Sequence, residues 1–129
     1  MSKAKISFKE INNKLRIYKK ERGWVDQDSA DLAKSILIEA AELLEHYQWD
    51  NTDFNNEGVI KKKDMEKVAA EIADIFIYLL GFCQENEIDL LAVTMKKLQH
   101  NIEKYPADQM KHGDSTTYMK IKKAYRKNS

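Results

Sequence analysis

The sequence predicts an all-α fold built as an antiparallel four-helix core. Three observations carry that expectation. Glycine occurs four times and proline once in 129 residues, too little punctuation for a many-turned β fold. No stretch alternates apolar and polar residues with the period of two that marks a half-buried strand. Four stretches instead repeat apolar residues at every third or fourth position. A chain of this length is expected to form one domain and to bury roughly two-thirds of the surface its unfolded form exposes.

The first helix is expected to start at Ser7 and to end near Gly23. Ser7 with Glu10 has the spacing of a capping box, and Ile6 with Ile11 that of a hydrophobic staple. Phe8, Ile11, Leu15 and Tyr18 supply its apolar stripe. The second helix follows a short polar connection, Trp24 to Asp28. Asp28 or Ser29 can cap it, and it runs to about Tyr47. Residues 50–63 are polar and rich in Asn, which reads as a long loop of a kind uncommon without a purpose. The third helix runs from about Asp64 to Glu85. It is apolar nearly all round from Val68 to Cys83, so it is expected at the centre. The fourth runs from about Ile88 to Lys104, where Pro106 stops it. Residues 1–106 thus form the helical domain. Residues 107–129 read as a tail, polar and then basic from Lys120 to Lys127, that suits a surface or a subunit contact.

Composition excludes several function classes. Apolar residues are 43% and charged residues 33% of the chain, an ordinary soluble mixture. The formal net charge is +1, so no global field favours nucleic acid. Cys83 is the single cysteine, which excludes an internal disulfide and fits a reducing, cytoplasmic setting. Its apolar helix makes it a small buried residue and not a nucleophile. The N-terminus lacks the apolar run of a signal peptide, and no apolar stretch approaches the roughly 18 residues of a membrane span.

Two short acidic motifs stand out: Glu39-Ala40-Ala41-Glu42 and Glu71-Ile72-Ala73-Asp74. In each, carboxylates three residues apart project from one helix face. Glu71, Asp74, Ile75, Tyr78 and Phe82 share one side of their helix. Leu32, Ile36, Glu39, Glu42, Leu43 and His46 share one side of the other. The acids therefore fall on stripes that should face a core. An unpaired buried carboxylate costs several kcal/mol, and four facing one another repel unless a cation lies between them. Oxygen-only ligands of this kind suit a hard ion such as Mg²⁺. The bland alternative is that the third helix turns Glu71 and Asp74 to solvent. Glu45 lies about 120° from Glu39 and is peripheral.

Competing metal chemistries fit less well. A di-iron bundle needs Glu-x-x-His on two helices. Glu42 and His46 are one residue too far apart, and Lys97 stands where His100 would need a glutamate. A calcium loop is partly matched by Asp53, Asn55, Glu57, Gly58, Ile60 and Asp64, but Lys61, Lys62 and Lys63 repel a cation. His46 and His100 have no motif around them and read as structural. Lys97, Asn101 and Lys104 line one face of the fourth helix, where they could hold phosphate oxygens or simply be solvated. Trp24 and Trp49 flank the second helix and could stack on a base or only pack.

At this point the residues resemble a known family. Glu39-x-x-Glu42 followed by Glu71-x-x-Asp74 looks like the metal-binding signature of the MazG-like all-α nucleoside triphosphate pyrophosphohydrolases. Glu21-Arg-Gly-Trp24, the run Glu39 to Trp49, Glu71 to Tyr78 and Asn101 to Pro106 are similar to the small dCTP pyrophosphatase branch. The resemblance covers roughly residues 5–106. It implies conversion of a (deoxy)nucleoside triphosphate to the monophosphate and pyrophosphate, in house-cleaning or control of the nucleotide pool. It implies Mg²⁺ on Glu39, Glu42, Glu71 and Asp74, and a nucleoside pocket with Trp24, Trp49 and Tyr78. Asn101 and Lys104, with Lys97, would contact phosphates. It further implies a homodimer or homotetramer that completes the bundle. The competing class is a non-enzymatic helical protein whose acids bind a basic partner.

Overall fold

The computed structural model describes residues 5–48, 62–110 and 115–127. The chain is all-α, with no strand among the described residues. In chain order the helices are α1 (Phe8–Glu21), α2 (Ser29–Gln48), α3 (Lys62–Glu85), α4 (Leu90–Lys104), the single turn α5 (Ala107–Met110) and α6 (Ser115–Lys127). No helix among them is long and apolar enough to cross a membrane. Most of the predicted 50–63 loop, including the partial calcium motif as far as Ile60, lies outside the described residues.

Local chemistry sets the helix ends. The Ser7 hydroxyl accepts the Glu10 N–H at 3.1 Å, satisfying one orphan donor of the first turn. Asp28, and not Ser29, caps α2: its carboxylate accepts the Ala30 and Asp31 N–H groups at 2.7 and 3.4 Å. Asp89 caps α4 through the Ala92 N–H at 3.0 Å. α1 closes in a Schellman motif, with Gly23 at φ 70° and Trp24 N–H bonded to Lys19 C=O at 2.9 Å. α3 closes in the same way. Ile88 N–H reaches Cys83 C=O at 2.9 Å, but Glu87 occupies the left-handed position at φ 53°. A residue with a Cβ costs about 1 kcal/mol more than glycine there.

The contacts group the chain into two units, Met1–Ile88 and Asp89–Ser129. In the first, α2 and α3 pack along their lengths. Ser29 at the start of α2 meets Asn86 just beyond α3, with the amide donating to the hydroxyl at 2.9 Å. His46 near the end of α2 meets Glu71 early in α3. The pair is therefore antiparallel, as expected. α1 joins α3 through an edge-to-face contact of Phe8 with Phe76, centroids 6.4 Å apart. The Gln84 amide also donates to Asn12 Oδ1 at 2.8 Å. Leu15, Leu32, Val68, Leu80 and Cys83 form the buried core. Burial pushes the Cys83 thiol pKa up, in keeping with an inert residue.

The second unit shows why the contacts do not divide at residue 106. Tyr118, Ile121, Lys122 and Tyr125 make a helical stripe in what the sequence reads as a tail, and that segment is α6. Tyr118 stacks on Tyr105 with centroids 4.9 Å apart, and Tyr125 meets His100 edge to face at 5.7 Å. The Lys104 ammonium lies 4.7 Å from the Tyr125 ring centroid. Aromatic and cation–π contacts thus bind α4 to the C-terminal segment.

Candidate active site

Glu39, Glu42 and Glu71 each present a carboxylate oxygen, and these three oxygens lie within 4.8 Å of one another. The i, i+3 spacing puts Glu39 and Glu42 on one face of α2, and the antiparallel pairing brings Glu71 of α3 opposite them. All three side chains are half-buried. Glu39 Oε2 is closed off from solvent and has no hydrogen-bond partner. The carboxyl of Glu39 is held above the usual glutamate range. Burial contributes most, followed by a hydrogen bond with Glu42 and repulsion from Glu42, Asp74 and Glu71. Asp74 is exposed and stands outside the three-oxygen cluster, but its charge is felt at Glu39.

This donor set fits a hard divalent ion. The buried oxygen without a partner is the decisive feature, because such an atom pays its full desolvation cost unless something coordinates it. The raised Glu39 pKa has the same origin: a proton supplies the positive charge that the surroundings lack.

The other expected site residues fall in three places. Tyr78 is half-buried one turn beyond Asp74 on α3. Lys97, Asn101 and Lys104 do share a face of α4, in the second unit. Lys97 is exposed, and Lys104 is engaged with Tyr105 and Tyr125. Trp24 lies at the far end of the first unit, in a cleft of about 660 Å³ that it lines with Arg16, Lys20, Glu85 and Asn86. Its ring packs edge to face on Tyr18 at 5.6 Å. Glu85 and Glu71 are fourteen positions apart on one helix, roughly 21 Å. Trp24 therefore does not reach the acids of its own chain. Trp49 lies outside the described residues.

One residue read as structural stands at the site. His46 Nε2 is 3.4 Å from Glu71 Oε1. Its place on the Glu39–Glu42 face is visible in the sequence, one turn after Glu42. That Glu71 lies opposite is not.

A family model described as the MazG-like family matches residues 34–120. The chain belongs to the MazG-like family. The matched stretch holds both acidic motifs and the α4 stripe. The dCTP pyrophosphatase 1 of Rattus norvegicus is 24% identical over 99 residues, which are 76% of this chain and 58% of the rat protein. The chain thus spans little more than half the length of that relative. A pyrophosphatase of known structure from Archaeoglobus fulgidus is 31% identical, with the match covering 82% of this chain and 98% of that one at a TM-score of 0.62. The all-α fold is thus of the MazG-like type.

Proposed function

We propose that the chain is a nucleotide pyrophosphohydrolase. It cleaves a nucleoside triphosphate, a deoxynucleotide above all, to the monophosphate and pyrophosphate. The observation that carries this reading is the buried, unpartnered Glu39 oxygen inside a cluster of three carboxylates. The relatives named as pyrophosphatases support it. Glu39, Glu42, Glu71 and Asp74 would hold Mg²⁺. A divalent ion so held neutralises phosphate charge and acidifies a water. Lys97, Asn101 and Lys104 contribute charge-assisted and amide bonds to phosphate oxygens. Tyr78 and Trp49 give the base an aromatic wall.

The same reading makes the enzyme a homodimer or homotetramer. Trp24 is too far from its own Glu71, so it serves the acids of a second copy. Leu37, Ile38 and Leu44 of α2 are 70%, 57% and 64% exposed, and Ile72 and Ile77 of α3 are 53% and 43% exposed. That much apolar surface suits burial against another subunit.

The test is pyrophosphate release from each ribo- and deoxynucleoside triphosphate, with Mg²⁺ and with chelator. Release from at least one nucleotide, lost in chelator, is the expected result. A folded protein that releases none with any divalent ion would overturn the reading. The same panel gives the preferred base and sugar.

A further inference from the structure

We propose that His46 is a positioning residue, an imidazole that fixes the Glu71 carboxylate in the orientation it presents to a divalent cation. The proposal rests on the metal reading above. His46 Nε2 is 3.4 Å from Glu71 Oε1, and the two side chains are 22% and 21% exposed. The contact bridges α2 and α3 at the acidic cluster. Yet His46 is not one of the three residues whose ligand atoms lie mutually within 4.8 Å. It stands one turn along α2 from Glu42, beside Glu71 and outside the three-oxygen cluster.

The geometry gives the imidazole a definite task. A carboxylate has two oxygens and about four lone-pair sites. An N–H accepted at Oε1 occupies one site and leaves the rest for a cation. Glu71 also faces the charges of Glu39 and Glu42, whose repulsion drives it away from the cluster. His46 reaches Glu71 from the same helix that carries Glu39 and Glu42. Its donor therefore holds the carboxylate toward α2 against that repulsion, fixes the carboxylate rotamer and lowers the cost of ordering the ligand when the ion arrives. Partners of this outer kind are worth about 10–100-fold in metal affinity. A histidine that merely packed the two helices together would leave affinity unchanged.

The experiment measures Mn²⁺ binding, by calorimetry and by loss of the free-ion electron paramagnetic resonance signal. It compares wild type with His46→Leu, His46→Met and His46→Gln. The Leu and Met variants lack the donor, and either folded one suffices. We expect each to bind Mn²⁺ about tenfold or more weakly. The Gln variant keeps an N–H donor and recovers most of the affinity. In turnover, the donor-free variants need correspondingly more Mg²⁺, and saturating ion restores kcat. A donor-free variant that binds Mn²⁺ as tightly as wild type overturns the role of His46, as does a Gln variant no better than Leu. Wild type that binds no Mn²⁺ overturns the metal reading itself, so the two failures are distinct.

Discussion

The two ends of the first helical unit bury charge in opposite ways. At one end, Lys19 and Glu85 pair at 2.9 Å, with side chains 9% and 15% exposed. The amides of Gln84 and Asn86 are satisfied nearby by Asn12 and Ser29. At the other end, Glu39, Glu42 and Glu71 crowd charges of one sign, and a buried Glu39 oxygen has no partner. The first arrangement is complete within the chain. Among the described residues of the first unit, no lysine or arginine pairs with the second arrangement, so a cation from outside would complete it. Burial of charge alone does not distinguish scaffold from site; the presence or absence of an internal counter-charge does.

The contrast is breakable, and the largest effect belongs to the paired end. Lys19→Met takes from the half-buried Glu85 carboxylate its 2.9 Å partner. The loss should fall between about 1 kcal/mol for an exposed pair and about 3–5 kcal/mol for a fully buried one. We expect a clear fall in the urea midpoint, with most of it recovered in the Lys19→Met, Glu85→Leu double variant. A single variant as stable as wild type would show that Lys19 and Glu85 are not a structural pair.

At the acidic end, Glu39→Gln is expected to remove nearly all turnover, because the missing charge acts where the transition state develops its own. Retention of more than about a tenth of wild-type kcat, a loss under about 1.4 kcal/mol, would remove Glu39 from the site.

Asp74 sharpens the comparison at its margin. Removing one of several like charges relieves repulsion in the metal-free protein, but it also removes a ligand. Asp74→Asn should therefore melt at or above the wild-type temperature in chelator and gain less from added Mg²⁺. Lower stability in chelator with an undiminished Mg²⁺ shift would place Asp74 in a salt bridge.

The smallest effect is a dependence on pH. The Glu39 pKa is raised in the folded, metal-free protein, so folding favours its protonated form. That contribution is fully present below the unfolded glutamate pKa and is lost as pH rises through the raised folded value. In chelator, wild type should lose stability across that window relative to Glu39→Gln. Parallel melting curves for the two proteins would show that Glu39 is not strained by its neighbours.

How much of this was legible in the sequence depended on the distance over which each feature is decided. The Ser7 cap, the Gly23 helix end and the i, i+3 carboxylates rest on bonds or spacings within about one helical turn, and the residue types alone predict them. The Asp89 cap is just as local, but the sequence expectation starts that helix at about Ile88. The end of α3 was legible only in position. Its left-handed residue is Glu87, so glycine chemistry gave no signal. α6 was missed because its lysines masked a stripe of two tyrosines and an isoleucine.

By itself, the sequence determined that the chain is helical, where most of its helices begin and end, and which faces carry the acids. Tertiary packing decided the rest. It placed His46 against Glu71 across 25 positions and Lys19 against Glu85 across 66. It closed solvent off from one oxygen of Glu39 but left Asp74 exposed, and it set Trp24 at the opposite end of α3 from the acids. Helix spacing fixes which side chains share a face, because the backbone repeat is local. Which face loses its water, and what stands opposite it, depends on how whole helices pack, and no window of sequence contains that.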